Sequence, residues 1–253
     1  MRWFVEPGSI VRKIWGKSDV ILFIFAGSAA EFALNKAVDW LFFTGRLPED
    51  PLGRLFSTVT YARKIVFSEE AKAHDVIDRM AHIHHGVESS RGYSIPDWAY
   101  RDVLYMLIDY SIRSYELLQR DLTHAEKEAV FDVFFRVGLR MGLKDLPTDF
   151  GSWQRDRQAH MEADLSHSEF TTKLFSQYRL HLGWTRYQIL LAGQSRIVPM
   201  RVLTLLSMRR SVFLATLLPL YKAAVFLRLE WFFKSLILPK KYIAEIKELD
   251  VEG

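Results

Sequence analysis

The sequence predicts an all-α fold, one compact multi-helix domain over residues 1–253 with globin-like packing and no sheet, and three observations predict it. Apolar residues recur at i, i+3, i+4 and i+7 through most of the chain, capping residues head those periodic stretches, and alternating strand patterns with Asn-Gly or Asp-Gly turns are missing. With 253 residues, 49% hydrophobic and 14% aromatic, the chain can bury one sizeable core. No repeat, Gly/Ser-rich or Pro-rich linker, or low-complexity run marks an internal boundary.

Helices are expected near 19–43, 51–67, 69–88, 96–119, 124–141, 150–163, 167–181, 184–195, 199–208 and 211–236. Ser68-Glu69-Glu70 offers an N-cap followed by acidic first-turn residues. Ser94-Ile95-Pro96-Asp97 puts proline in a first turn, after which Ala99, Val103, Met106, Leu107, Tyr110 and Ser114 track one face. Thr123-His124-Ala125-Glu126 and Ser166-His167-Ser168-Glu169 both fit the capping box, and Ala129, Val130, Val133, Phe134 and Val137 share a face after the first. Short loops are expected at Pro48-Glu49-Asp50-Pro51, Ser89-Ser90-Arg91-Gly92-Tyr93 and Leu146-Pro147-Thr148.

Composition removes several classes of chemistry. Cysteine is absent, which excludes disulfides, thiolate haem ligation, iron–sulfur clusters and cysteine nucleophiles. The net charge of +4 comes from 34 basic and 30 acidic residues without a basic stripe, so nucleic acid is not an expected partner. No His-Glu-x-x-His, Glu-x-x-His, Gly-rich phosphate loop or Gly-x-Ser-x-Gly elbow occurs. Residues 1–17 lack the apolar core of a signal peptide. The apolar run 20–30 is about half a bilayer span, and 211–239 is broken by Pro219, Lys222, Arg228, Glu230 and Lys234. A cytoplasmic protein without a transmembrane span is therefore expected. The hydrophobic segment 211–239 reads either as a helix closing the core or as one in a membrane interface, with Phe226, Leu227, Trp231, Phe232 and Phe233 against lipid and Lys240-Lys241 near headgroups.

Residues 79–87, Arg79-Met80-Ala81-His82-Ile83-His84-His85-Gly86-Val87, carry three histidines in four positions. On a helix, Ala73, Val76, Ile77, Met80, His84 and Val87 form one apolar stripe with His84 as its polar member. Asp75, Asp78, His82 and His85 fall on the other side. The three histidines cannot close on one zinc, because positions two apart do not face each other. Spacing alone leaves His84 open as a hydrogen-bonded core imidazole or as a metal ligand.

One helix earlier, Arg54 and Thr58 stand at i, i+4 and share a face with Tyr61 and Ile65. A guanidinium and a hydroxyl directed into one cavity suit a haem pocket, where arginine fits a propionate and a hydroxyl can hydrogen-bond the bound gas. A helix-start arginine beside a back-bonded threonine is the alternative.

Arg54-x-x-x-Thr58, Val66-Phe67-Ser68, His84-x-x-Val87, the run from Arg91-Gly92-Tyr93-Ser94-Ile95-Pro96-Asp97-Trp98-Ala99-Tyr100 into Val103-Leu104-Tyr105-Met106-Leu107-Ile108-Asp109-Tyr110, Gly142-Leu143-Lys144-Asp145-Leu146-Pro147 and Tyr178-Arg179-Leu180-His181-Leu182-Gly183 follow in order. From Arg54 to about Pro199 the chain resembles the oxygenase family that contains the fungal MpaB-type enzymes, which cleave a prenyl side chain, and the bacterial latex-clearing rubber oxygenases. The resemblance implies a helical domain enclosing haem b, with His84 as iron ligand and Arg54 and Thr58 lining the pocket. It also implies dioxygen and an apolar unsaturated substrate, prenyl or lipid-like. Where the rubber oxygenases flank the histidine with arginines three before and four after, this chain has Ala81 and Glu88, and Ser89 replaces the following glycine. Arg79 sits three before His82, which keeps His82 as the alternative ligand. Glu31 and Asp39 are the candidate carboxylate bases, each equally readable as a buried structural partner. The competing functional expectations are a non-catalytic haem- or lipid-binding helical protein docking at a membrane surface, and a haem carrier or gas sensor.

Overall fold

The structure, a computed structural model, describes residues 2–43, 51–226 and 246–250, with the side chains of 41, 51–57 and 226 excepted. Among the described residues all regular structure is helical, as the periodicity predicts. Helix α1 (Ile10–Trp15), absent from the sequence reading, starts from Ser9, whose Oγ accepts from Val11 N at 3.2 Å.

The helix expected over 19–43 is two helices, α2 (Ser18–Phe32) and α3 (Val38–Phe43). Asn35 causes the break. Its Oδ1 accepts from Ala37 N at 2.8 Å and its Nδ2 donates to Asp102 Oδ2 at 2.5 Å, so the side chain competes with the helical ladder. The backbone there turns to residues 164–166, with Lys36 N donating to Asp164 O and Ser166 N to Leu34 O.

Helix α4 (Pro51–Val66) begins at a proline, whose missing N–H is no loss in a first turn. The expected loop residues 48–50 lie outside the described residues. Helix α5 (Glu70–Arg91) has Glu69 at its N-cap without a side-chain bond, so Ser68 does not cap it, and it stops at Gly92 in the left-handed region (φ 75°).

Helix α6 (Asp97–Leu118) is the central element, packed along α2 on one side and α7 (His124–Arg140) on another. It is buried around most of its circumference, including Tyr105, Met106, Ile108 and Tyr110. A one-face rule therefore describes it poorly, and Val103 of the expected face is exposed.

At the head of α7 the capping box is present, Thr123 Oγ1 accepting from Glu126 N at 3.2 Å and Glu126 Oε2 accepting from Thr123 N at 2.9 Å. Thr123→Ala is expected to lower stability by about 1 kcal/mol, read from the denaturant midpoint at unchanged slope.

Asp149 caps α8 (Phe150–Asp164), its Oδ1 accepting from Ser152 N at 2.8 Å. The expected helices 167–181 and 184–195 run together as α9 (Glu169–Ile197), kinked where Gly183 adopts φ 71° and ψ 170°. Its capping box is Ser168 with Thr171, not Ser166 with Glu169. Helix α9 crosses α2, α3, α4, α6 and α11. The last described helices are α10 (Met200–Leu205) and α11 (Val212–Phe226), the second continuing through Pro219. The remainder of the expected 211–236 helix lies outside the described residues, as do Leu227, Trp231, Phe232, Phe233, Lys240 and Lys241. No helix among the described residues is long and apolar enough to cross a membrane.

Candidate functional site

Helix α5 carries the histidines, and its inward stripe is graded along its length. Ala73 and Ile77 are fully buried, whereas Val76, Met80, His84 and Val87 are half-buried. The N-terminal half of α5 therefore closes core, and the half with His84 lies near the surface of that core. His82 and His85 are exposed on the other side.

The Nδ1 atom of His84 lies 2.8 Å from Met80 O, one turn back. A carbonyl oxygen only accepts, so Nδ1 donates, and in the neutral imidazole the lone pair is on Nε2. The Tyr100 ring meets the His84 ring edge-on at 5.3 Å and 75°. Tyr100 Oη in turn donates to Glu88 Oε1 at 3.2 Å, an oxygen that also accepts from Ile95 N at 2.8 Å.

Glu88 Oε2 lies 2.8 Å from His85 Nδ1. Burial opposes ionisation of Glu88, but the bonds from His85, Ile95 N and Tyr100 outweigh it and hold the carboxyl below its ordinary range. Burial, reinforced by the Glu88 charge, pushes the Tyr100 hydroxyl well up, so it remains a donor. The acidic residue four after His84 thus fixes a tyrosine against the imidazole.

Helix α4, with Thr58 exposed and Ile65 buried, packs along α5. The side chain of Arg54 lies outside the described residues.

The two candidate bases have different surroundings. Glu31 is fully buried, and both of its oxygens are bound by Arg157 of α8, Nη1 to Oε1 at 2.5 Å and Nη2 to Oε2 at 2.6 Å. Tyr110 Oη adds a third bond to Oε2 at 2.8 Å, and Arg157 Nη2 reaches Asp109 Oδ2 at 3.3 Å. Burial alone would lower the Arg157 pKa, but Glu31 and Asp109 outweigh it, so the guanidinium stays charged. A carboxylate so enclosed is a structural partner, and Glu31 is set aside as a base. Lys36, the basic residue five positions after Glu31, instead donates to Ala163 O at 2.6 Å.

Asp39 pairs with Arg91 at 2.6 Å, and the Arg91 guanidinium lies 4.0 Å over the Trp40 ring. Arg91 stands seven residues after His84, on the same side of α5 and about 10 Å along it. Asp39 is therefore the candidate carboxylate whose partner shares the His84 side.

Sequence reasoning missed a second polar cluster, formed by Asp102 of α6 with His160 and Asp164 of α8. The i, i+4 spacing of His160 and Asp164 was its available signal. Beyond both clusters, Leu180 and Trp184 on either side of the α9 kink are 73% and 66% exposed, large apolar side chains on the helix that crosses α4.

No individual curated protein and no solved structure matches the chain. The family described as ER-bound oxygenase mpaB/B'/Rubber oxygenase, catalytic domain, matches residues 15–229, from the end of α1 to beyond α11 and past both ends of the resemblance seen in the sequence. That span exceeds four-fifths of the chain, and the chain belongs to this family of oxygenase catalytic domains.

Proposed function

We propose that the chain is a haem b-dependent oxygenase that uses dioxygen on an apolar, unsaturated substrate such as a prenyl or lipid chain. The observation that carries this reading is the Nδ1–H to Met80 O bond of His84, which orients the ring and, in the neutral imidazole, leaves Nε2 as the ligating nitrogen. The donor set fits: with no cysteine in the chain a neutral imidazole would hold the iron, and His84 is the inward member of the three histidines. When bound, haem supplies the oxygen chemistry.

The chain's own residues set its surroundings. Tyr100, tied to Glu88, restrains rotation of the His84 ring, and the family resemblance, not a contact with His84, is what assigns the exposed Thr58 to the pocket. By the family resemblance Arg54 would line the pocket, where a guanidinium fits a propionate. The exposed Leu180 and Trp184 suit an apolar chain approaching α9.

The test is an absorption spectrum of the chain purified after expression with ample haem. A Soret band is expected, lost in His84→Ala and kept in His82→Ala and His85→Ala. A colourless wild type, or haem kept in His84→Ala with loss in His82→Ala, overturns the ligand assignment. Oxygen uptake with an isoprenoid substrate separates an oxygenase from a carrier or gas sensor, which would show no turnover. A peripheral membrane contact through α11 is a compatible second reading, favoured by its exposed Val212, Phe213 and Leu220 beside exposed Arg209 and Arg210. Co-sedimentation with anionic vesicles checks it.

A further inference from the structure

We propose that Asp102, His160 and Asp164 form a site for one divalent cation, distinct from the His84 stripe, that clamps the end of α8 to α6. His160 Nδ1 lies 2.6 Å from Asp102 Oδ1 and 3.2 Å from Asp164 Oδ2, and the three donor atoms all fall within 4.8 Å of one another. Ligands about 2.1 Å from a metal stand roughly 3 to 3.4 Å apart when adjacent, so small side-chain shifts seat an ion among these three. His160 and Asp164 occupy successive turns of one helix and Asp102 comes from its neighbour, which lets three ligands converge without a loop.

The surrounding groups are placed as those around a ligated imidazole are. Asn35 Nδ2 donates to Asp102 Oδ2 at 2.5 Å, which turns the other oxygen of that buried carboxylate toward His160. On the far side of the ring, His160 Nε2 faces Asp156 Oδ2 at 3.8 Å, and that oxygen is held by Tyr105 Oη at 2.6 Å. A metal on Nδ1 requires the proton on Nε2, and Asp156 is the carboxylate toward which that N–H points. Two carboxylates and one neutral imidazole carry two negative charges, matching a divalent ion. This mixed nitrogen and oxygen set suits manganese, iron(II) or zinc, with water completing the coordination. The His160 and Asp164 side chains are 12% and 16% exposed, enough for a small ion and its water to enter.

Structurally, such an ion would tie α8, the Asn35 turn and α6 together one turn beyond Arg157. The competing occupant of the same geometry is a proton on Nδ1 shared with Asp102.

The full chain, stripped with chelator and dialysed against manganese or zinc, is measured by elemental analysis and thermal unfolding. Metal is counted separately from iron, so the result does not depend on haem. About one ion per chain is expected, with a melting temperature that rises with metal concentration. His160→Gln and Asp164→Asn should each weaken binding at least tenfold, while His82→Ala, a control for adventitious zinc on the exposed histidines, should leave manganese binding unchanged. If His160→Gln does not fold, Asp164→Asn at the more open edge decides. Absence of stoichiometric metal in the wild type, or undiminished binding in Asp164→Asn, overturns the site and leaves the shared proton.

Discussion

Arg157→Met is expected to lower folding stability by about 3–5 kcal/mol, because it leaves the Glu31 carboxylate buried without its cation and takes from Asp109 one of its two arginine partners. Glu31 and Asp109 are both buried, and Arg157 is bonded to each. For a chain of this size that loss corresponds to a melting temperature lower by about 6–20 °C. Arg157→Lys should recover only part of it. An ammonium is a point charge and cannot reproduce the forked contact with both Glu31 oxygens.

The double variant Arg157→Met/Glu31→Met should be more stable than Arg157→Met alone, since it removes the stranded charge with its partner, and Arg113 still pairs with Asp109 at 2.6 Å. Thermal and urea unfolding of the wild type, Arg157→Met, Glu31→Met and the double variant gives the coupling energy. Additive losses would show that Glu31 and Arg157 do not act as a unit.

The pair also shows where sequence reading stops. Glu31 was recognisable as an acid among small and apolar neighbours, but its partner stands 126 positions away, and no local spacing links them. His84 was separable from His82 and His85 because that distinction is local to one helix, and the structure places the first inward and the other two outward. Asp102 and Asp109 were passed over for a different reason. Helix α6 is enclosed on most sides, so its buried residues do not form one stripe, and polar positions there are buried because other helices supply partners. The break at residues 33–37 was unreadable for the same cause, since helix-compatible residues are turned aside by the long-range bond from Asn35 to Asp102. The Arg120–Glu126 pair and the Thr123 box are local, and the box was found at its expected position.

Gly27→Ala is the second large effect, and its sign is set by a competition. In a helix interior alanine is favoured over glycine by about 1 kcal/mol. In α2, however, a Cβ on Gly27 would fall within the ring of Tyr110 on α6, the helix packed along it. That ring is fully buried and tethered by its hydroxyl to Glu31 Oε2 at 2.8 Å, so it can yield only by loosening the Glu31–Arg157 network. Overpacking of about 1–3 kcal/mol plus a weakened buried hydrogen bond of about 1 kcal/mol exceeds the propensity gain, so net destabilisation is expected. Gly138 is the intermediate case: its Cβ would meet side-chain methyls of Leu104 and Leu146, which can rotate away, and the same substitution should be milder there. Gly86 is exposed within α5 with nothing near its Cβ position, so Gly86→Ala should stabilise by about 0.5–1 kcal/mol. Urea unfolding of the three variants should rank them in that order. A Gly27→Ala protein as stable as wild type would mean that α2 and α6 can separate without disturbing Tyr110, and the close approach at Gly27 would then not be what seats the buried ion pair.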